Sequence, residues 1–160
     1  MTEGSNIRLV ALDVDGVMTD GRVTYTSDGQ ETKSFNIKDG VGIKRLREAG
    51  IKTAIITGRS SPMVTRRATE LGIDHVIQGR EDKLHALKEL LREIGGTLAD
   101  VAYMGDDLPD LAAIAAVGLG ACPSDAVAEV KLQSAWISQH PGGGGCVREL
   151  CDHLLGSLSK

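Results

Sequence analysis

Asp13 and Asp15 stand two residues apart at the end of an apolar run, Ile7 to Val14. If that run is a strand, positions i and i+2 face the same way, and the two carboxylates converge where the strand unwinds. One carboxylate beside a metal could attack phosphorus. The other could give a proton to the leaving oxygen and later take one from water. Taken alone, such a pair is better explained as turn-capping acids. Three further groups change that balance. Thr57-Gly58 follows Ile55-Ile56 and offers a hydroxyl and backbone N–H groups to phosphoryl oxygens, although threonine is also a common helix cap. Lys83 opens an apolar-striped segment after Gly79-Arg80-Glu81-Asp82 and can neutralise phosphoryl charge, although most helix lysines are simply solvated. Asp106, Asp107 and Asp110 crowd the stretch after Val101 to Met104. Clustered acids suit a hard cation bound through oxygen, and equally suit the start of a helix.

The elements that must position these groups alternate along the chain. Ile7–Val14 reads as a buried parallel strand. Residues 23–26 and 30–35 flank Asp28-Gly29 and read as a hairpin. A helix is expected over 39–49, stopped by Gly50. Strand 52–56 comes next, then a helix carrying Val64, Ala68 and Leu71, then strand 75–77. Leu84, Leu87, Leu91 and Ile94 form one stripe, closed by Gly95-Gly96. Strand 101–104, helix 108–115, and strands 117–120 and 135–137 complete the alternation. Gly142–Gly145 reads as a flexible loop before a last helix, on which Val147, Leu150, Cys151, Leu154 and Leu158 share a face. The pattern predicts an α/β, three-layer Rossmann-like fold with a mainly parallel sheet and a β-hairpin insertion after the first strand. In such folds the site lies beyond the carboxyl ends of the strands, which is where all four groups fall.

The chain has 160 residues, which suits a single domain over 1–160. With 41% apolar residues and 2% aromatics, its core rests on aliphatic side chains. A net charge of −4 supplies no basic excess for nucleic acid. The odd count of three cysteines fits reduced, buried thiols and no zinc pattern. No leader pattern and no apolar run of about 20 residues is seen. The expectation is a soluble cytoplasmic protein with no membrane partner.

In form and order, these four groups resemble the motifs of the haloacid dehalogenase superfamily of phosphohydrolases. The resemblance runs from about Leu9 to the last helix. It implies Asp13 as nucleophile, forming an aspartyl-phosphate. Asp15 becomes the general acid/base, with its backbone carbonyl on Mg²⁺. Asp13 and Asp106 become the carboxylate ligands of that ion. Thr57, the Gly58 amide and Lys83 hold the phosphoryl group. Asp107 partners metal-bound water and Asp110 orients Lys83. Neither gap between motifs has room for a cap domain, so a neighbouring subunit is expected to cover the site. The stretches Leu12–Gly21, Phe35–Gly40, Ile56–Arg59 and Gly105–Leu108 are similar to the 3-deoxy-D-manno-octulosonate 8-phosphate phosphatase family. That family acts on a sugar-acid phosphate in lipopolysaccharide precursor synthesis and forms homotetramers. The resemblance places Lys38, Asp39 and Arg59 near the substrate. The family commonly has a basic residue in its glycine loop, where this chain has four glycines.

Three other readings compete. A related capless enzyme could act on a nine-carbon sugar-acid phosphate. A non-catalytic regulatory homologue would not need the complete motif set. A phospho-accepting receiver domain would carry an aspartate at the end of its middle strand, where this chain has Thr57.

Overall fold

The apolar run after Ile7 forms strand β1, Leu9–Leu12, and all four of its side chains are buried. It pairs in parallel with β4, Lys52–Ile56, on one side and β6, Val101–Met104, on the other. In this computed structural model, residues 6–158 are described, except for the side chains of residues 157 and 158. The leader expectation at residues 1–5 and the place of the Leu158 side chain therefore lie outside the described residues. Strands β5 (His75–Ile77), β7 (Leu119–Cys122) and β8 (Trp136–Ile137) extend the sheet, in the order β5-β4-β1-β6-β7-β8. Every pairing in it is parallel, so β1 lies inside the sheet with neighbours on both edges.

Alternation along the strands sends side chains to two cores. Val10 and Leu12 join Ile43, Leu46, Val64, Leu71, Val147 and Leu150 on one face. Leu9 and Ala11 join Leu87, Leu90, Ile114 and Val130 on the other. The first face is covered by helices α1 (Ile37–Glu48), α2 (Pro62–Leu71) and α6 (Cys146–Leu158). The second is covered by α3 (Lys83–Ile94), α4 (Leu111–Ala116) and α5 (Ala128–Gln133). Burying each of these aliphatic side chains contributes about 1.5–3 kcal/mol. This is the expected three-layer α/β fold. The hairpin β2–β3, Thr24–Tyr25 with Glu31–Thr32, follows β1 and stands outside the main sheet. All three cysteines are free and buried.

Four local expectations need correction. Residues 108–110 form a single 3-10 turn before α4, in which the Asp110 amide bonds to the Asp107 carbonyl and the Leu111 amide to the Leu108 carbonyl. The strand expected at 117–120 lies at 119–122, because the Val117 amide still bonds to the Ala113 carbonyl and closes α4. Helix α5 is not foreseen. The glycine loop is held rather than loose: the Gly143 amide bonds to the Val17 carbonyl, and Gly142 is buried. A Cβ at Gly142 would lie 2.0 Å from the Gly16 carbonyl oxygen, so only glycine allows this close approach to the turn after β1.

Candidate active site

Strand ends and helix starts bring the motif residues to one cleft of about 280 Å³, lined by Asp13, Asp15, Thr57, Gly58, Arg59, Lys83, Asp106, Asp107 and Asp110, among others. A larger hollow of about 790 Å³ lies at the amino ends of the strands, beside Arg8, Lys52 and His75. It holds none of the motif residues.

Asp13 leaves β1 buried. Its Oδ1 accepts from the Val14 amide at 2.8 Å and lies 3.1 Å from Lys83 Nζ. Those contacts fix one oxygen and leave Oδ2 for chemistry. Lys83, the first residue of α3, also reaches Asp110 Oδ1 at 2.8 Å. Burial alone would push the Lys83 ammonium down, but Asp13 and Asp110 outweigh burial and raise it, so it stays charged.

Asp110 is fully buried and already occupied. Its Oδ1 accepts from Lys83 and, at 2.6 Å, from the Tyr103 hydroxyl. Its Oδ2 accepts from the amides of Asp106 and Asp107, at 2.9 and 3.2 Å. Asp110 thus holds Lys83 and shapes the turn that presents Asp106. Burial, then the Asp110 charge, raises the Tyr103 hydroxyl well above its ordinary value, so Tyr103 acts as a neutral donor. Asp107 is exposed, and its Oδ1 caps the 3-10 turn through the Leu108 amide at 2.7 Å.

Carboxylate oxygens of Asp13, Asp106 and Asp110 lie within 4.8 Å of one another. Asp13 is pushed up to about 6, first by burial and then by Asp110, with Lys83 opposing. Asp106 is pushed up to about 8, first by burial, then by Asp13 and Asp110. Three carboxyl groups thus crowd around one lysine. An all-oxygen set of this kind fits a hard divalent cation, with Asp13 and Asp106 as the carboxyls that are not filled by four donors as Asp110 is. Gly16, at φ +88°, permits this geometry: a Cβ there would lie 1.9 Å from Asp106 Oδ2.

Asp15 lines the same cleft but stands outside this acidic cluster. Its Oδ1 is 2.6 Å from Lys33 Nζ, which also lies 3.3 Å from Glu31 Oε1. Arg59 Nη2 bonds to Glu31 Oε2 at 2.9 Å. Thr57 is buried at the end of β4, and its Oγ1 faces the Arg59 amide at 3.4 Å.

Lys38 and Asp39 are not brought to the cleft in this chain. Both lie in the first turn of α1. Lys38 is exposed. Asp39 is 2% exposed and turns inward, where its Oδ1 accepts from the Arg148 amide at 2.9 Å in the first turn of α6. That carboxylate ties two helix starts together. Sequence reasoning does not find Tyr103, Lys33, Glu31 or Glu81, all of them in or around the cleft. A polar tip in the buried run Val101–Met104 is the signal for Tyr103. Lys33 and Glu31 carry no local signal.

The chain matches the model of the haloacid dehalogenase-like hydrolases over residues 37–118. It is 43% identical to the 3-deoxy-D-manno-octulosonate 8-phosphate phosphatase of Salmonella typhi, over 100% of this chain and 85% of that protein. The chain belongs to the 3-deoxy-D-manno-octulosonate 8-phosphate phosphatase family of haloacid dehalogenase-like hydrolases. Solved members of this phosphatase family superpose closely. The Moraxella catarrhalis enzyme, crystallised with magnesium, phosphate and 3-deoxy-D-manno-octulosonate (KDO), matches with a TM-score of 0.97 and 46% identity, covering 98% of this chain and 90% of that one. The cobalt-bound Haemophilus influenzae enzyme gives 0.95 and 40%, covering 99% and 93%. Among the described residues, no helix of this phosphatase-family chain is long and apolar enough to cross a membrane.

Proposed function

We propose that this chain, read as one domain over 1–160, hydrolyses 3-deoxy-D-manno-octulosonate 8-phosphate to the sugar acid and inorganic phosphate, with Mg²⁺ as cofactor, in lipopolysaccharide precursor synthesis. The single observation that carries the reading is the convergence of Asp13, Thr57, Lys83 and Asp106 on one cleft, together with full-length identity to phosphatases of that name. Asp13 Oδ2 attacks phosphorus as the ester P–O bond breaks, and Asp15 gives a proton to the leaving sugar oxygen. Water then attacks the aspartyl-phosphate, Asp15 takes its proton, and phosphate leaves Asp13. Thr57, the Gly58 amide and Lys83 hold the phosphoryl oxygens, because this transfer needs in-line positioning and neutralised oxygen charge. When bound by Asp13, Asp106 and the Asp15 carbonyl, Mg²⁺ supplies further positive charge to those oxygens. Asp107 partners water on that ion, and Arg59 lies near the sugar acid, where a guanidinium suits a carboxylate.

The same reading has a second copy close the open cleft within a homotetramer. It is supported by a hairpin that, among the described residues, joins no other sheet and leaves Val23 and Tyr25 exposed. Phosphate release from a panel of sugar-acid and simple sugar phosphates, with and without Mg²⁺, tests the function. The expected result is metal-dependent release with a clear preference for the eight-carbon sugar acid. A flat profile would defeat the substrate assignment. Native mass spectrometry tests the tetramer.

A further inference from the structure

Lys33 has no place in the reaction described so far, yet its side chain is only 3% exposed. Withdrawing an ammonium from water is costly unless it is well paired. Here it is clamped between two carboxylates, Asp15 Oδ1 at 2.6 Å and Glu31 Oε1 at 3.3 Å. Glu31 is fixed in turn by Arg59 at 2.9 Å. Among the described residues, Lys33 is the one ion-pair partner of Asp15. We propose that Lys33 is a positioning residue for Asp15: it pins Oδ1, so that Oδ2 is the oxygen that exchanges the proton with the ester oxygen and then with water. The inference rests on Asp15 being the general acid/base.

As the Asp13 O–P bond forms and the ester P–O bond breaks, the proton on Asp15 Oδ2 moves to the departing oxygen. The Lys33 ammonium meets the negative charge that this leaves on Asp15. Asp15 then regains a proton from the attacking water. Lys33 exchanges no proton and touches neither phosphorus nor leaving group. The detached hairpin β2–β3 thereby acquires a task, because Lys33 follows directly on its second strand.

The test compares the wild type with Lys33→Met and Lys33→Arg under saturating Mg²⁺ on three substrates: 3-deoxy-D-manno-octulosonate 8-phosphate, glycerol phosphate and p-nitrophenyl phosphate. The first two leaving groups need a proton and nitrophenolate does not. Lys33→Met is expected to lower kcat/KM on both alkyl phosphates by roughly 10- to 100-fold, a part of the roughly 10²–10⁴-fold that general acid catalysis supplies. On p-nitrophenyl phosphate the loss stays below about 3-fold, which also shows that the variant is folded. Lys33→Arg recovers most of the alkyl activity. Lys33→Gln replaces Lys33→Met if the latter does not fold. An equal loss on p-nitrophenyl phosphate overturns the inference. So does no loss at all, or a loss confined to KM for the sugar-acid phosphate, which would make Lys33 a substrate contact. A wild type that releases phosphate from none of the three sinks the phosphatase reading, and this inference with it.

Discussion

Asp13 concentrates the residue-scale chemistry, because the proposed function makes it both nucleophile and metal ligand, and in the structure it is also a partner of Lys83. Asp13→Asn keeps its shape and removes its charge, and an amide is a poor nucleophile. Turnover is expected to fall by more than about 10³-fold while far-UV dichroism is unchanged; substantial residual activity would defeat the covalent route. Asp110 carries a different load, since four donors depend on it. Asp110→Ala leaves the buried Lys83 charge with Asp13 alone and takes the acceptor from the Tyr103 hydroxyl and two amides, and is expected to cost about 3–5 kcal/mol in urea unfolding. Asp13 and Asp106 also make stability depend on pH. Their native values, about 6 and about 8, lie above the ordinary carboxylate value near 4. Folding therefore takes up protons, and their contribution is fully present below about pH 4. It is lost as pH rises through 6 and 8. A cation competes for the same oxygens, so added Mg²⁺ should raise the melting temperature more at pH 8 than at pH 5. Equal shifts by scanning calorimetry would remove these two residues as ligands.

At the scale of elements, the tightest joint is between the glycine loop and the turn after β1. Gly142→Ala forces a methyl group onto the Gly16 carbonyl, and backbone there cannot give way as a flexible side chain can. The expected cost is about 1–3 kcal/mol, with weaker Mg²⁺ binding by calorimetry because Gly16 adjoins Asp106. Wild-type affinity in that variant would show that the loop is not coupled to the metal site. This joint also marks what sequence can and cannot reveal. Asp13, Thr57, Lys83 and Asp106 can be read because each sits where an apolar run ends or a helical stripe begins, which is a local pattern. Four successive glycines look equally like slack, and only the chain folded against them shows that they are packed. Lys33 meets Asp15 across 18 residues, so its pairing has no local signature. Asp39 lies near the motifs in sequence, but its carboxylate is drawn inward by the amide of Arg148. Helix α5 spans only Ala128–Gln133, too short for a helical period to stand out.

On the scale of the whole molecule, the strand that leads into Asp13 has, among the described residues, no paired strand that is near in sequence. Leu9 pairs with Lys52 on one edge and with Val101 on the other, and the Asp13 amide bonds to the Met104 carbonyl. Closing such long loops precedes the reward of the contacts they bring. On refolding from urea, helical dichroism should therefore recover before phosphatase activity, and a coincident recovery would show that the sheet assembles early. The same geometry has a bearing on synthesis. Among the motif residues Asp13 is made first, and β6, one of the two strands that flank β1, comes some ninety residues later. Until then Asp13 and Thr57 share only the β1–β4 pairing, and Lys83 lacks its Asp110 partner. A chain made only through β4 thus lacks Lys83, Asp106 and Asp110, and with them the set that the proposed reaction requires.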